Sequence, residues 1–304
     1  MNEIFEEVYN KIYQSSKERL EEVRKSNNSF ILKIVIVSIA FIACFAYMVD
    51  AILAVALGMV LLCVIIFFIS CSIKDYKEIY KQEVIEALLK GYNENIKFDA
   101  KQGITQREYT EAHFDNCPID EVHSEDKISG RLKDGSPFVI TDVVARRVEV
   151  HGQGKERREE RITIFKGLYG RVNLRRNSTT QVTIIRDESR RKFDKKRIEI
   201  DSAMFEDKYD FITTDRVYAL RIFTSDVIEK FNDLEEHGIK VPFELKIDYD
   251  QIFFRLKCGS MFEPPTFKDA LDKELLRGYF NVVYQIIELL EKVTESINNI
   301  SMSN

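Results

Sequence analysis

Two long apolar runs lie close together near the N-terminus, and they constrain the fold of this chain more than any other feature. The first extends over residues 30–49 and the second over residues 51–73. A helix that spans a bilayer needs about 20 mainly apolar residues, so each run is long enough. Asp50 separates the runs, and one continuous helix would place its carboxylate in the middle of a span far too long for a membrane. The sequence therefore predicts a two-helix transmembrane hairpin over residues 30–73.

Basic residues flank this hairpin on both outer sides, whereas the connection between the runs contains no Lys or Arg. By the positive-inside rule, both termini are expected in the cytoplasm. A secretory signal peptide is a poor alternative, because its apolar region would be shorter and no second span would follow. Small residues in the runs are expected to hold the two helices together, or alternatively to form a homo-oligomer. The flanking residues are Lys17, Arg19, Arg24 and Lys25 before the hairpin and Lys74, Lys77 and Lys81 after it.

The rest of the chain has the pattern of cytosolic helices around an α+β domain. Apolar residues recur at helical spacing in residues 1–29 and 74–95, which predicts an amphipathic N-terminal helix and a stalk helix. Residues 96–265 alternate short β-rich runs with turns, and residues 266–304 contain a long helix and a tail. We therefore expect a membrane-anchored α+β protein, with a mainly antiparallel sheet packed by N- and C-terminal helices.

The turns and strands of this domain can be predicted individually. Asp134-Gly135 and the segment 248–251 have turn composition, and one helix is expected over residues 224–236. Strands are predicted at residues 127–132, 138–150, 161–174, 181–186, 196–200, 211–213, 217–224, 243–247 and 252–256.

Charge is distributed unevenly along the chain. The net charge is -5, but residues 146–197 contain 17 Lys and Arg against 7 Asp and Glu, so this stretch carries +10 and the remainder -15. Anionic lipid headgroups attract such a stretch when it is tethered to a membrane. A solvated polar face neutralised by acidic residues is the alternative, and nucleic acid is not expected, because Phe193 is the only aromatic residue in the last basic cluster. The residues expected to contact lipid or a partner are Arg157, Arg158, Arg175, Arg176, Arg190, Arg191, Lys192, Lys195, Lys196 and Arg197.

No standard catalytic or cofactor signature occurs in the sequence, including the phosphate-binding, nucleophile-elbow, zinc and dinucleotide motifs. We therefore predict no cofactor. Five cysteines at unclustered positions argue against a disulfide framework. His113, Cys117 and His123 form the only local cluster of metal-ligand type, but their spacing matches no standard site, and no metal is predicted.

Several segments resemble a bacterial family known as domain of unknown function 3137. The resemblance covers residues 95–265 and is centred on Ile164 to Gly170, with the sequence IFKGLYG. Further similar segments are residues 96–104, 125–130, 138–141, 204–233 and 243–265. Relatives similar to this chain often carry two N-terminal transmembrane helices, so the resemblance implies the same architecture and a location in the bacterial inner membrane. It implies no catalytic residues, and the basic segment 177–197 departs from the family pattern.

These observations predict a non-catalytic, membrane-anchored binding or scaffold module with an unknown membrane or cytosolic protein as partner. The alternative is a hydrolase-type enzyme that acts on a membrane-proximal substrate through an unrecognised site. Such a site would require several titratable side chains to converge in one buried concavity. The candidates are Asp210, Asp215, Asp248, Asp250 and His123.

Overall fold

The computed structural model describes residues 2–48, 60, 63, 66–67, 74, 76–152, 157–186, 197–198, 208–236, 243–265 and 271–302. The chain divides into two compact units. The sheet unit comprises Leu89–Phe262 and Glu274–Asn304 together with Met1, and the helical unit comprises Asn2–Leu88 and Glu263–Lys273.

The helical unit is built on helix α1, which extends over Asn2–Met48. Phe5, Ile12 and Leu20 recur at helical spacing, and their side chains are buried. A second helical segment contains the π-helical turn Lys81–Ile85 and leads into helix α2 (Glu86–Tyr92). An ion pair of 2.7 Å between Arg19 and Glu83 joins α1 to this segment. Burial of the two apolar stripes accounts for their packing.

The predicted transmembrane hairpin has no support in the structure. Within the described residues, no helix is both long enough and apolar enough to cross a lipid bilayer. Most of the second predicted span, residues 51–73, lies outside the part of the chain that the structure describes.

The sheet unit contains one antiparallel sheet, which confirms the α+β class and the mainly antiparallel pairing predicted above. In the described residues the sheet has nine strands, in the order β1-β2-β3-β4-β9-β8-β5-β7-β6. The elements are β1 (Lys97–Asp99), α3 (Gln106–Thr110), β2 (Glu121–Arg131), β3 (Pro137–His151), β4 (Arg158–Asn173), β5 (Val182–Arg186), β6 (Arg197–Ile198), β7 (Tyr209–Thr213), α4 (Arg216–Ile222), α5 (Ser225–Glu236), β8 (Phe243–Asp248), β9 (Gln251–Leu256) and α6 (Lys273–Met302).

Apolar side chains cover both faces of this sheet. On one face, Phe231 of α5 packs against Phe243 of β8, with ring centroids 5.5 Å apart. On the other face, Tyr109 of α3 packs against Phe165 and Tyr169 of β4, at 6.0 and 5.1 Å. The alternation of side chains along each strand assigns the residues to these two layers.

The strand predicted at residues 217–224 is wrong, because this segment forms helix α4. The side chain of Asp215 accepts a hydrogen bond from the backbone N–H of Tyr218 and caps the helix. Tyr218, Ala219 and Ile222 are buried at helical spacing. The β-branched and aromatic composition of the segment favoured a strand, but the capping residue and the tertiary burial pattern favour the helix.

Candidate functional site

The hairpin of β3 and β4 extends beyond the rest of the sheet. Strand β2 follows β3 only as far as the pair Glu121 and Arg146, and β9 pairs with β4 only at residues 168–173. Among the described residues, 147–151 and 158–162 therefore pair only with each other. We call these two segments the arm. Arg157 precedes the arm's second segment and Arg158 begins it, so both predicted contact residues lie near its tip.

Most charged side chains of the arm are neutralised within the sheet unit. Arg157 lies 3.3 Å from Glu159, and Arg161 lies 3.1 Å from Glu121. His151 is within 3.6 Å of Glu149 on its own strand. An isolated two-stranded ribbon has little core of its own. His151 also lies 3.5 Å from Glu160 on the facing strand, and Arg161 with Glu121 joins the arm to β2.

Arg175 and Arg176 lie at the opposite end of β4 from the arm tip. Fifteen residue steps of an extended strand separate Arg158 from the end of β4, a distance of about 50 Å. The Arg175 guanidinium donates a hydrogen bond of 3.0 Å to the backbone oxygen of Asp134, and Arg176 donates to the backbone oxygen of Asn298 at 3.4 Å. The structure therefore does not bring the two arginine pairs together on one surface.

The remaining predicted basic residues are only partly described. Arg197 lies in the edge strand β6, where it is paired with Ile212 of β7. Arg190, Arg191, Lys192, Lys195 and Lys196 lie outside the described residues. A lipid or partner contact by any of these residues stays a prediction.

The β8–β9 turn contains an exposed aromatic residue that the sequence analysis did not single out. Tyr249 has a φ angle of 47°, and its side chain is 50% exposed. The loop after β4 holds this turn, because the N–H groups of Ser178 and Leu174 donate to the backbone oxygens of Tyr249 and Asp250, at 2.6 and 2.8 Å. The first central position of a two-residue hairpin turn needs positive φ, which glycine adopts most readily. A tyrosine at this position is therefore the sequence signal that could have identified the strained residue.

Replacing Tyr249 by glycine is expected to stabilise the sheet unit by about 1 kcal/mol, because left-handed backbone strain in a bulky residue costs about 1–3 kcal/mol and glycine removes it. Urea denaturation of the purified chain measures this change. Asp250→Gly in the same turn is the matched control, since Asp250 does not have positive φ and should lose stability. A destabilised Tyr249→Gly variant would contradict the strain argument.

A polar groove of about 500 Å³ lies between α5, α6 and the β2–β3 turn. Ion pairs cross it, one from Lys133 to Glu291 and another of 3.1 Å from Lys230 to Glu288. Lys133 donates a hydrogen bond to Glu291 and Lys230 donates one to Glu288, and these bonds raise the pKa values of the two lysines. Burial raises the pKa of Glu288, but hydrogen bonds from Tyr284 and Lys230 outweigh it and hold the pKa below its ordinary value. These ion pairs join α6 to α5 and to the β2–β3 turn across the groove.

Acid is expected to weaken the sheet unit through Glu288. Because the pKa of the folded carboxyl lies below its ordinary value of 4.5, its stabilising contribution is present above that pH and is lost as the pH falls through the folded pKa. Urea midpoints measured between about pH 5 and 3 should therefore fall more steeply for the parent than for Glu288→Gln. The exposed Glu229 on α5 supplies the control Glu229→Gln, and parallel curves for the parent and Glu288→Gln would exclude this contribution.

A partly buried ion-pair network lies on the sheet face under α3. Arg255 of β9 is bonded to Glu244 of β8 and to Asp115, the latter at 2.6 Å. The Arg255 guanidinium also lies 4.9 Å from the centroid of the Phe114 ring. Tyr109 donates a hydrogen bond of 2.9 Å to Asp115. The carboxylates therefore serve to hold Arg255 in a low-exposure site, and sequence reasoning gave no signal for this long-range cluster.

The residues considered for catalysis do not converge in one buried concavity of the described structure, although Asp215, Asp248 and Asp250 lie at the same end of the sheet. Asp215 caps α4, Asp248 accepts a hydrogen bond of 2.6 Å from Gln181, and Asp250 lies in the β8–β9 turn. Asp210 is in β7 and His123 is in β2, on a different part of the sheet. These residues therefore do not form the buried cluster of titratable side chains that the enzyme alternative requires.

The cysteines and histidines also form no recognisable reactive centre in the described part of the chain. No group of three or more His, Cys, Asp or Glu side chains there is placed to hold a metal ion. Cys117 packs against the apolar cluster around Tyr109, and His113 is an exposed residue with a φ angle of 50°. Burial raises the pKa of Cys258 to about 11, so this thiol stays protonated near neutral pH.

Comparisons with known proteins give one family. No curated protein and no solved structure matches the chain. The matched segment of the family model covers β4 to β9 and most of α6. The predicted resemblance is thereby confirmed, and residues 163–294 of this chain match the family described as Protein of unknown function (DUF3137).

Proposed function

We propose that this chain is a non-catalytic binding or scaffold module, anchored in the bacterial cytoplasmic membrane by residues 30–73, with both termini in the cytoplasm. In this arrangement the sheet unit is held close to the membrane surface. The tether raises its effective concentration for lipid headgroups and for a membrane protein partner.

An exposed apolar band on α1 carries the anchoring part of the proposal. Leu32, Ile36, Val37 and Ile39 are 57–67% exposed, although large aliphatic side chains are rarely exposed together on a soluble surface. Lipid chains are the occupant that we propose for this band, because it lies within the first of the two apolar runs. Apart from Lys33, one turn inside the first run, the basic residues around the runs lie on their outer sides.

The described sheet unit supports binding in preference to catalysis. The partly buried charges of the Arg255 network and the α6 groove are partnered. Among the candidate acids, Asp215 caps α4 and Asp250 lies in a turn. Its arm extends beyond the rest of the sheet, and exposed connecting segments of this kind are where binding surfaces concentrate.

Membrane fractionation tests the anchor. The tagged chain should remain in the membrane pellet of expressing cells after an alkaline carbonate wash. Val37→Asp combined with Ile39→Asp should release much of it, because each Asp at the centre of a spanning helix costs about 2.5–3.5 kcal/mol. Glu18→Gln, on the exposed polar part of α1, is the control. A parent chain that carbonate extracts fully would overturn the anchor.

Crosslinking of the full-length chain in native membranes, followed by mass spectrometry, tests the scaffold role. A reproducible protein partner is the expected result. Self-crosslinks and lipid adducts alone would contradict a scaffold role and indicate a stand-alone function at the membrane.

A further inference from the structure

One end of the sheet brings three connections side by side. The end of β4 at Asn173 pairs with Gln251 of β9, and Val182 of β5 pairs with both Ile247 and Thr213. The loop after β4, the β8–β9 turn and the start of α4 therefore share this end. We call the exposed residues there the turn face: Arg175, Arg176, Arg216, Val217, Leu220 and Tyr249.

Large apolar side chains point into solvent on the turn face. Val217 is 71% exposed, and Leu220, one turn further along α4, is 36% exposed. Tyr249 is half-exposed, and within the described residues its side chain makes no hydrogen bond or ring contact. Because the backbone of Tyr249 has positive φ, glycine at this position would give the fold a higher stability. These residues thus provide apolar surface that the sheet unit does not use for its own packing.

Positive charge accompanies this apolar surface. Arg175, Arg176 and Arg216 are all exposed, against the exposed carboxylates of Asp215 and Asp250. The Asp215 carboxylate accepts the N–H of Tyr218 at 3.0 Å. Arg175 and Arg176 each donate to a backbone oxygen, which leaves their positive charges without a carboxylate partner among the described residues. Exposed aromatic and aliphatic side chains beside arginine are the combination that binds the boundary between headgroups and acyl chains of an anionic membrane.

We propose that the turn face docks on anionic lipid headgroups, with Tyr249 and Val217 entering the interface and the three arginines binding phosphates. The inference rests on the proposed function, because the anchor supplies the proximity that a small surface of low net charge needs. The proposal also distinguishes the two arginine pairs at the opposite ends of β4. Arg175 and Arg176 contact the membrane, whereas the arm, in which Arg157 and Arg161 lie beside carboxylates, does not.

Hydrogen exchange of the full chain in lipid vesicles tests this choice. The chain is reconstituted in phosphatidylcholine vesicles with or without phosphatidylglycerol, and exchange is followed by mass spectrometry. Amides of residues 174–177, 214–217 and 249–250 should exchange several-fold more slowly in the anionic vesicles. Amides of the arm should exchange equally in both.

Substitutions at the turn face, with a control in the arm, test the protection from hydrogen exchange further. Arg175→Glu with Arg176→Glu should abolish the protection, and Tyr249→Gly should reduce it while leaving the sheet unit at least as stable as the parent. Arg157→Glu with Arg158→Glu, at the other end of β4, is the matched control and should leave the protection unchanged.

Each contrary result has a distinct meaning. Equal exchange of the turn face in neutral and anionic vesicles, or protection of the arm instead, overturns the lipid contact while the anchor stands. Protection that appears only when membrane proteins are added assigns the turn face to a protein and also overturns the lipid contact. A chain that fails to insert into either vesicle refutes the proposed anchor itself.

Discussion

Replacing Gly167 by alanine is expected to lower the free energy of unfolding by about 3 kcal/mol or more, because the new methyl group has no space. A Cβ built on Gly167 would lie 2.0 Å from the backbone oxygen of Leu256 and 2.7 Å from the backbone nitrogen of Cys258. Both neighbours are backbone atoms, so no side-chain rotation can relieve the overlap. The Gly259 N–H also donates to Lys166 at 3.2 Å and holds the crossing segment against β4.

Urea denaturation followed by circular dichroism measures this loss, and helix α6 offers a matched glycine. Gly278 is exposed and has no atom within 4 Å of a built Cβ, so Gly278→Ala should stabilise the helix by up to about 1 kcal/mol. If Gly167→Ala were as stable as the parent, β4 and the segment after β9 could not approach as closely as described.

Replacing Arg255 by methionine is expected to cost about 3–5 kcal/mol, because it leaves two poorly exposed carboxylates without their cation. The side chains of Asp115 and Glu244 are only 10% and 17% exposed. Methionine keeps much of the apolar volume of the arginine stem, so most of the loss reports the unpaired charge rather than a cavity.

Neutralising the partners separates these two contributions. Asp115→Asn and Glu244→Gln, added to Arg255→Met, should restore a large part of the lost free energy of unfolding, because no charge then remains in the site. Asn and Gln also keep hydrogen-bonding groups near Tyr109. A triple variant no more stable than Arg255→Met would show that packing of the guanidinium against Phe114, rather than its charge, maintains the network.

Local patterns in the sequence were sufficient for much of the sheet unit. Alternating apolar residues and turn composition predicted the β2–β3 and β8–β9 hairpins, since side-chain direction alternates along any strand that is buried on one face. The apolar stripe near the C-terminus likewise predicted a long helix, now seen as α6. The motif from Ile164 to Gly170 was recognised as a family resemblance, and its glycines have a steric explanation. A Cβ on Gly170 would lie 2.3 Å from the ring of Phe254.

Other local signals were present but were outweighed. Thr105 and Glu108 form a capping box that begins α3, a four-residue signature that the β-rich surroundings obscured. In residues 217–224, strand-like composition concealed the helical spacing of α4. Short helices have little periodicity, so composition can mislead until tertiary burial selects the conformation.

What the sequence by itself determined is therefore the class of the elements and their approximate positions, because burial periodicity is a local property of the chain. Only the tertiary structure decided the strand order, in which β9 and β8 lie between β4 and β5. That order places Tyr249 beside the loop after β4 and brings Asp115 to Arg255 across 140 residues. Contacts between residues so far apart in the sequence depend on which strands and helices pack together in the folded chain. No local sequence pattern encodes that choice.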